Sequence, residues 1–548
     1  MPIQGSVGER KLDVGFVDDS TKKDSRYQWP QILVPGELKS NSSADSAAQA
    51  WADLGRCARE VLAAQDARRF VLGFTLCGSL MRIWEFDRTG GIASEKFDIH
   101  KDGLQFVYSI LGFLWMNEEQ LGFDPTIRTE DGKRFVEIEK DGLKERIIID
   151  ALILRTRCIV GRATTCWKAH PDGHPELQLV VKDSWQYPER EEEGGLLHEA
   201  ASRGVVNVAR HYHHETVQIR GEVDDIRGNV RGGLDVTTAT NYRSERSTVP
   251  PQLAGKSTPP AGPMAPPSKS PDGSLREADS SSATAKKRPA SPLDADLHER
   301  KRARLTVPAQ SNNDTPQNRV HRRVILRDIG VPIYKARSRL ALLEAFISCL
   351  EGHESLREKA RILHRDISIN NMLIKKEGDD TSWPGFLIDL DHSIREDRHA
   401  ASGAVNKTGT RAFMAIGVLQ GEQHNFMHDL ESFFWVLFWI CIHYDAAGKA
   451  NRREAFDAWN YEGDQSLITI KIGTVFEQEH FLETIQANFT SHYQPMIPWV
   501  DKLRGVVFPD GKRRKTLAPQ LYSQMRDVLR EAQKDPSVMG CYESSTGA

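Results

Sequence analysis

ILHRDISINNMLI, Ile362 to Ile374, is the stretch on which the reading of this chain turns. Its apolar ends have the composition of short strands, and they enclose a polar turn. In that turn stand His364, Arg365 and Asp366, with Asn371 five positions after the Asp. A carboxylate at the tip of such a loop can accept the proton of a hydroxyl or orient it. An Asn five residues on can reach a magnesium ion held on phosphates. His-Arg-Asp alone also fits a chance tripeptide in a structural turn; Asn371 in register and the apolar flanks make the spacing specific.

Downstream, GFLIDLDHSI (Gly385 to Ile394) predicts a strand over Phe386 to Ile388 that delivers Asp389 at its end, a carboxylate suited to a hard cation on nucleotide phosphates. Leu390 and Asp391 follow, so the position two after Asp389 lacks the free φ of a glycine. GTRAFMA (Gly409 to Ala415) comes twenty residues after Asp389, where Thr410 can hydrogen-bond Asp366. HDLESFFWVLFWICI (His428 to Ile442) is apolar nearly all round and predicts a buried helix. Asp429 at its start is expected to accept backbone N–H groups from the loop at 364–366, an ordinary N-cap being the plainer alternative.

Upstream, LQLVVKDSW (Leu177 to Trp185) alternates so that Gln178, Val180 and Lys182 share one strand face. A strand lysine is usually a solvated edge residue. Here a helical stretch from Leu196 to Arg203 offers Glu199, seventeen residues on, as an ion-pair partner that would hold Lys182 on nucleotide phosphates. Glu191, Glu192 and Glu193 rank behind it. The segment Gly161-Arg162-Ala163-Thr164-Thr165-Cys166 keeps one glycine of a phosphate loop, with its backbone amides and the Thr164 hydroxyl as phosphate donors.

The set VVKDSW, LLHEA, ILHRDISINNMLI, LIDLD, GTRAFMA and HDLESFFWVLFW resembles the fungal-type protein kinases, a divergent branch of the protein-kinase fold. The region Phe70 to Trp115 is similar to what precedes the kinase lobes in that family. The resemblance implies an α+β, two-lobed fold with a β-rich upper lobe and a mainly helical lower lobe. It also implies ATP and Mg2+ as cofactors and a protein hydroxyl, Ser or Thr, as acceptor. On it, Lys182, Asp366, Arg365 and Asn371 are the catalytic set and Asn371 with Asp389 holds the metal. Gly161, Thr164, Val180, Lys182 and Glu199 line the nucleotide, and Thr410 and Asp429 support the loops. The chain departs from the general kinase pattern at Ser368, where a Lys is usual, at Asp391 for Gly, and at Ile416-Gly417 for Pro-Glu, so the buried ion pair of that Glu is expected to be missing or replaced. Arg365 is also placed to pair with a phosphorylated Ser402 or Thr408. Two rivals share these residues: a pseudokinase kept as a binding scaffold, and a phosphotransferase acting on a small molecule.

The 548 residues divide by composition. Residues 1–50 read as a disordered leader, 51–145 as an N-terminal α/β region packed on the kinase, and 146–232 as the upper lobe. Residues 233–319 read as a disordered insert, 320–533 as a hinge strand and lower lobe, and 534–548 as a flexible tail. In the insert, residues 250–316 hold 12 of the 26 prolines and no Phe, Tyr or Trp, too little apolar surface to offset ordering. Its clusters Lys286-Lys287-Arg288 and Arg300-Lys301-Arg302 resemble a bipartite nuclear signal for an import receptor binding 286–304, a solvated linker being the alternative.

A net charge of −3 provides no general field for nucleic acid. No apolar run approaches the roughly 20 residues of a membrane span. Seven widely spaced cysteines without a C-x-x-C pair, and a start without an apolar segment behind basic residues, lead to the expectation of an intracellular protein, nuclear or cytoplasmic.

Overall fold

The structure, a computed structural model, describes residues 11–17, 27–239, 317–375, 383–396, 409–446 and 448–540. The basic clusters at 286–288 and 300–302, and Ser402 and Thr408, lie outside the described residues. The mixed α+β chain is β-rich in its first part and helical in its last.

A first sheet is built from β1 (Val14–Val17), β2 (Ile32–Lys39), β3 (Val71–Cys77), β4 (Leu80–Asp87) and β5 (Gly90–Ala93), in that order, with β6 (Phe97–Asp98) paired to β4. The helix α1 (Ala50–Ala64) lays Leu54, Cys57, Ala58 and Val61 against it. The turn between β3 and β4 is made by Gly78 at φ +59°. β1 and β2 correct the reading of residues 1–50 as a disordered leader: Ile32 and Val34 are core residues. β2 is held by parallel pairing to β3, a partner more than thirty residues away. Gly36 is where the strands press closest, since a Cβ there would fall 2.3 Å from the Phe74 ring. The helix α2 (Gly103–Trp115) follows, burying Phe113.

The second sheet has the order β12-β15-β11-β10-β9-β8-β7, antiparallel throughout. Its members are β7 (Ile127–Glu130), β8 (Lys133–Lys140), β9 (Leu143–Arg155), β10 (Thr165–Pro171), β11 (Leu179–Gln186), β12 (His211–Thr216) and β15 (Val320–Leu326). The short hairpin β13 (Gln218–Ile219) and β14 (Glu222–Val223) precedes β15. The sheet therefore starts at Ile127, not at residue 146, because β7 and β8 continue the ladder beyond β9. Helix α3 (Glu193–Ser202) packs on β12.

One face of this sheet carries a buried ion network that apolar periodicity does not announce. Arg323 on β15 pairs with Asp183 (2.9 Å), Glu215 (3.1 Å) and Asp124 (3.3 Å). His321, also on β15, lies 3.0 Å from Asp224 and 3.3 Å from Asp183. Although burial opposes protonation, the two carboxylates raise the His321 pKa from 6.5 to about 9. A group whose folded pKa is raised stabilises fully below its unfolded value, and that contribution is lost as pH climbs through the folded pKa. At 1.36 kcal/mol per unit the charged imidazole contributes about 3 kcal/mol near pH 6, which fades between pH 6.5 and 9. His321→Ala is thus expected to melt well below the wild type at pH 6, with the gap narrowing by pH 9. A gap independent of pH in thermal melts would contradict a charged His321.

The remainder is helical around one large core. After β16 (Gly330–Pro332), the helix α4 (Arg339–Ala360), capped by Ser338, leads into β17 (Ile362–Leu363), β18 (Met372–Lys375), β19 (Gly385–Leu387) and β20 (Ile394–Arg395). The short α5 (Ile416–Leu419) precedes α6 (Phe426–His443), which is buried along its whole length as its uniform apolarity predicts. Helices α7 (Glu454–Asp457), α8 (Asp464–Phe476), α9 (Gln478–Asn488), α10 (Ile497–Val507) and α11 (Leu521–Ala532) surround it. The final α12 (Pro536–Met539) corrects the flexible tail from residue 534 onward: Val538 is buried, and Arg339 donates to the carbonyls of Val538 (2.8 Å) and Ser537 (3.1 Å). No helix among the described residues is long and apolar enough to cross a membrane.

Candidate active site

Four elements converge on one cluster of charge. β11 contributes Lys182, on the same strand face as Val180. The ammonium lies 2.5 Å from Glu193 Oε2, 2.8 Å from Asp389 Oδ1 and 3.6 Å from Asp391 Oδ2. Burial alone would push the Lys182 pKa down, but Asp389, Asp391 and Glu193 hold it well above the usual lysine value.

The partner of Lys182 is therefore Glu193, the first residue of α3, and not Glu199. Six residues along a helix turn about 240° away, so Glu199 faces elsewhere. It pairs with Arg395 (Nη1 3.1 Å, Nη2 2.5 Å), which also holds Glu191 at 2.7 Å. The sequence reading starts the helix at Leu196 and so misses its first turn. Glu193 is fully buried, and its Oε1 accepts the Leu390 amide at 3.2 Å, tying α3 to the segment that carries Asp389.

The loop between β17 and β18 holds Asp366 and Asn371 together. Asn371 Nδ2 donates to the Asp366 carbonyl (2.8 Å) and to Asp366 Oδ2 (3.1 Å). Thr410 donates its amide (2.7 Å) and hydroxyl (2.9 Å) to Asp366 Oδ1, the contact its spacing suggests. Gly409 beside it stands at φ +116°, and a Cβ would meet the Arg365 carbonyl at 2.8 Å, so only glycine lets this segment approach the loop. Arg365 itself adopts φ +66°.

Asp429, at the start of α6, accepts the amides of His364 (3.2 Å) and Arg365 (3.1 Å). His353 and His424 each approach it to 2.8 Å. Against the effect of burial, those two histidines hold its carboxyl well below the usual carboxylate range. Glu431, one helical turn earlier than Trp435, accepts the Ile416 amide (2.7 Å) and the Trp435 indole (3.0 Å). Lys471 donates to the Met414 carbonyl (2.7 Å), so a Glu and a Lys from neighbouring helices secure the end of the Thr410 segment where Pro-Glu is absent from the chain.

Asp389 follows β19 in the left-handed conformation (φ +68°, ψ +71°). Burial would raise its pKa, but Arg162 and Lys182 keep it well below the usual range. Asp391 is not a bystander: it accepts from Arg162 Nη1 at 2.6 Å and from the Gln186 amide. One carboxylate oxygen from each of Glu193, Asp389 and Asp391 lies within 4.8 Å of the other two. An all-oxygen donor set of this kind suits magnesium.

Gly161 and Thr164 sit in the loop joining β9 and β10. The Gly161 amide donates to the Arg88 carbonyl at 3.1 Å and the Thr164 carbonyl accepts from the Thr156 amide at 2.9 Å. Gly161 N–H thus has a protein acceptor in place of the expected phosphate. Arg162, Gln186 and Asp391 are the residues that motif reading passes over, because each gains its place only from partners remote in the chain.

A search of curated proteins finds no match to this sequence. The family model of the fungal protein kinases, in contrast, matches residues 11–441, taking in both sheets, Lys182, Glu193, the Asp366 loop and most of α6. The chain belongs to the fungal protein kinase family.

Proposed function

We propose that this protein transfers the γ-phosphate of ATP to a Ser or Thr hydroxyl of a protein. The observation that carries the reading is the meeting of Lys182 and Asp389 (2.8 Å) beside a loop in which Asp366 and Asn371 are hydrogen-bonded to each other. Asp366 orients the acceptor hydroxyl and receives its proton, with Asn371 and Thr410 fixing the carboxylate. Lys182, set by Glu193, neutralises nucleotide phosphate. Asp389 and Asn371, with Asp391 and Glu193 as further oxygen donors, are the residues that would hold magnesium. Bound magnesium supplies positive charge where the transferring phosphate gathers negative charge. A protein acceptor is favoured by the Gly409 to Ala415 segment, which resembles a substrate-docking loop and begins beside Asp366 through Thr410.

The test is transfer of labelled γ-phosphate to the protein itself and to a mixed protein substrate, followed by identification of the phosphorylated residue type. Label on Ser or Thr is the expected result; bound Mg-ATP without transfer would overturn it in favour of a binding module. The corrected ion pair adds a second expectation. Glu193→Gln is expected to lower the rate about tenfold or more, since a preorganised phosphate-directed charge is loosened. Glu199→Gln is expected to stay within about twofold, since its half-buried pair with Arg395 does not touch Lys182. Equal losses in the two variants would contradict the assignment of Glu193.

A further inference from the structure

The tip of the β9–β10 loop carries a cation whose place no motif explains. Arg162 Nη1 lies 2.6 Å from Asp391 Oδ2, 3.1 Å from Asp389 Oδ1 and 3.3 Å from Asp389 Oδ2. Asp389 and Asp391, with Glu193, form the oxygen cluster suited to a divalent cation. The guanidinium therefore sits on the carboxylates that magnesium would use. Lys182 and Arg162 thus face Asp389 and Asp391 charge for charge, while burial raises the pKa of the third carboxyl, Glu193.

The loop backbone is held so that this side chain points inward. The Gly161 amide donates to the Arg88 carbonyl. The Arg88 side chain in turn donates to the carbonyls of Cys158 (3.1 Å) and Arg68 (2.6 Å). Arg155, at the end of β9, donates to the carbonyls of Leu62 (2.7 Å) and Asp66 (2.7 Å). The β9 root of the loop and its Cys158 to Gly161 stretch are thus gripped by the segments that follow α1 and β4, and the amide that a glycine-rich loop would offer to phosphate is already committed to Arg88.

The geometry points to Arg162 as a displaceable counter-cation. It neutralises Asp389 and Asp391 when nucleotide is absent, gives way to magnesium when Mg-ATP enters, and then pairs with the nucleotide phosphates in place of the missing glycine-loop amides. A guanidinium suits both partners, since its fork of N–H donors matches carboxylate and phosphate alike. This inference rests on the Mg-ATP reading of the site and deepens it.

The experiment titrates Mn2+ alone, and then ATP at saturating Mn2+, into the full chain, its Arg162→Gln and Arg162→Lys variants and an Asp389→Asn control. Bound Mn2+ is read by electron paramagnetic resonance and bound ATP by calorimetry. Removing a unit charge this close to the metal position is expected to tighten Mn2+ binding by Arg162→Gln about tenfold and to weaken ATP binding about tenfold. Arg162→Lys keeps the charge and loses the fork, and is expected to lie between; it carries the test should Arg162→Gln fail to fold. Unchanged Mn2+ affinity, or unchanged ATP affinity, in a folded variant overturns the role of Arg162. Wild type that binds neither Mn2+ nor ATP overturns the underlying reading of the site instead.

Discussion

Asp366→Asn is expected to reduce phosphotransfer by about a thousandfold or more while the protein still folds and binds ATP. The size follows from what the carboxylate does: positioning and general-base catalysis together account for losses of about 10² to 10⁴ when one group is removed. Asn keeps the shape of the side chain, so the surrounding loops need not move. Its hydrogen-bond pattern is the difference. In the wild type both carboxylate oxygens accept, Oδ1 from Thr410 and Oδ2 from Asn371. An amide offers one acceptor and one donor, so either Thr410 or Asn371 then faces another N–H. That mismatch costs about 1–3 kcal/mol, enough to lower the melting temperature by several degrees and too little to unfold a core of this size. Initial-rate measurements beside thermal melts and ATP titration separate the effects. A rate within tenfold of wild type, in a variant that binds ATP normally, would remove Asp366 from the reaction.

How much of this site is legible in the sequence depends on whether a residue's role is set by its neighbours in the chain. Asp366 and Asn371 share one loop, so their spacing reports their geometry. Thr410 and Asp429 lie further away, yet each is announced by a segment with its own local pattern, a glycine at φ +116° and an apolar helix. Lys182 is legible as far as its strand face. Its partner is not, because the choice between Glu193 and Glu199 hangs on where α3 begins, and Glu193-Gly194-Gly195 is a poor helix start by propensity. Burial against β12 holds that turn regardless: a Cβ on Gly194 would lie 2.2 Å from His214 Cβ.

Elements of the fold whose partners are remote in the chain are hidden in the same way. β2 contains Pro35-Gly36, which reads as a turn, and its parallel partner β3 cannot be found from local alternation. The sheet boundary at Ile127 is hidden in a similar way, since β7 and β8 are ordinary hairpin strands until β9 is seen to extend past β10 and pair with both neighbours. Asp391 reads in sequence as the loss of a glycine. In the fold it is a buried carboxylate bonded to Arg162 and Gln186, so what looks like decay of a motif has become part of the charge cluster.

Asp429→Ala is expected to be the most damaging single change away from the reacting groups, lowering stability by about 3–5 kcal/mol and transfer by about a hundredfold at temperatures where the variant stays folded. Asp429 is 1% exposed and is the acceptor for four donors: two loop amides and the imidazoles of His353 and His424. Alanine leaves all four without that acceptor in a site that water does not reach, and each unpaired buried donor carries its own penalty. The backbone consequence is separate. Arg365 adopts φ +66°, a conformation non-glycine residues avoid, and the bond from its amide to Asp429 helps hold it there. Once that bond is gone the turn can relax toward ordinary φ, carrying Asp366 away from Thr410. Asp429→Asn, which keeps one acceptor, is expected to recover part of the stability and part of the rate. Denaturant unfolding and initial rates on both variants decide the matter. If Asp429→Ala lost stability but kept its rate, the loop at 364–366 would be held by its other contacts, and Asp429 would serve only the packing of the first turn of α6, whose cap is Asn425.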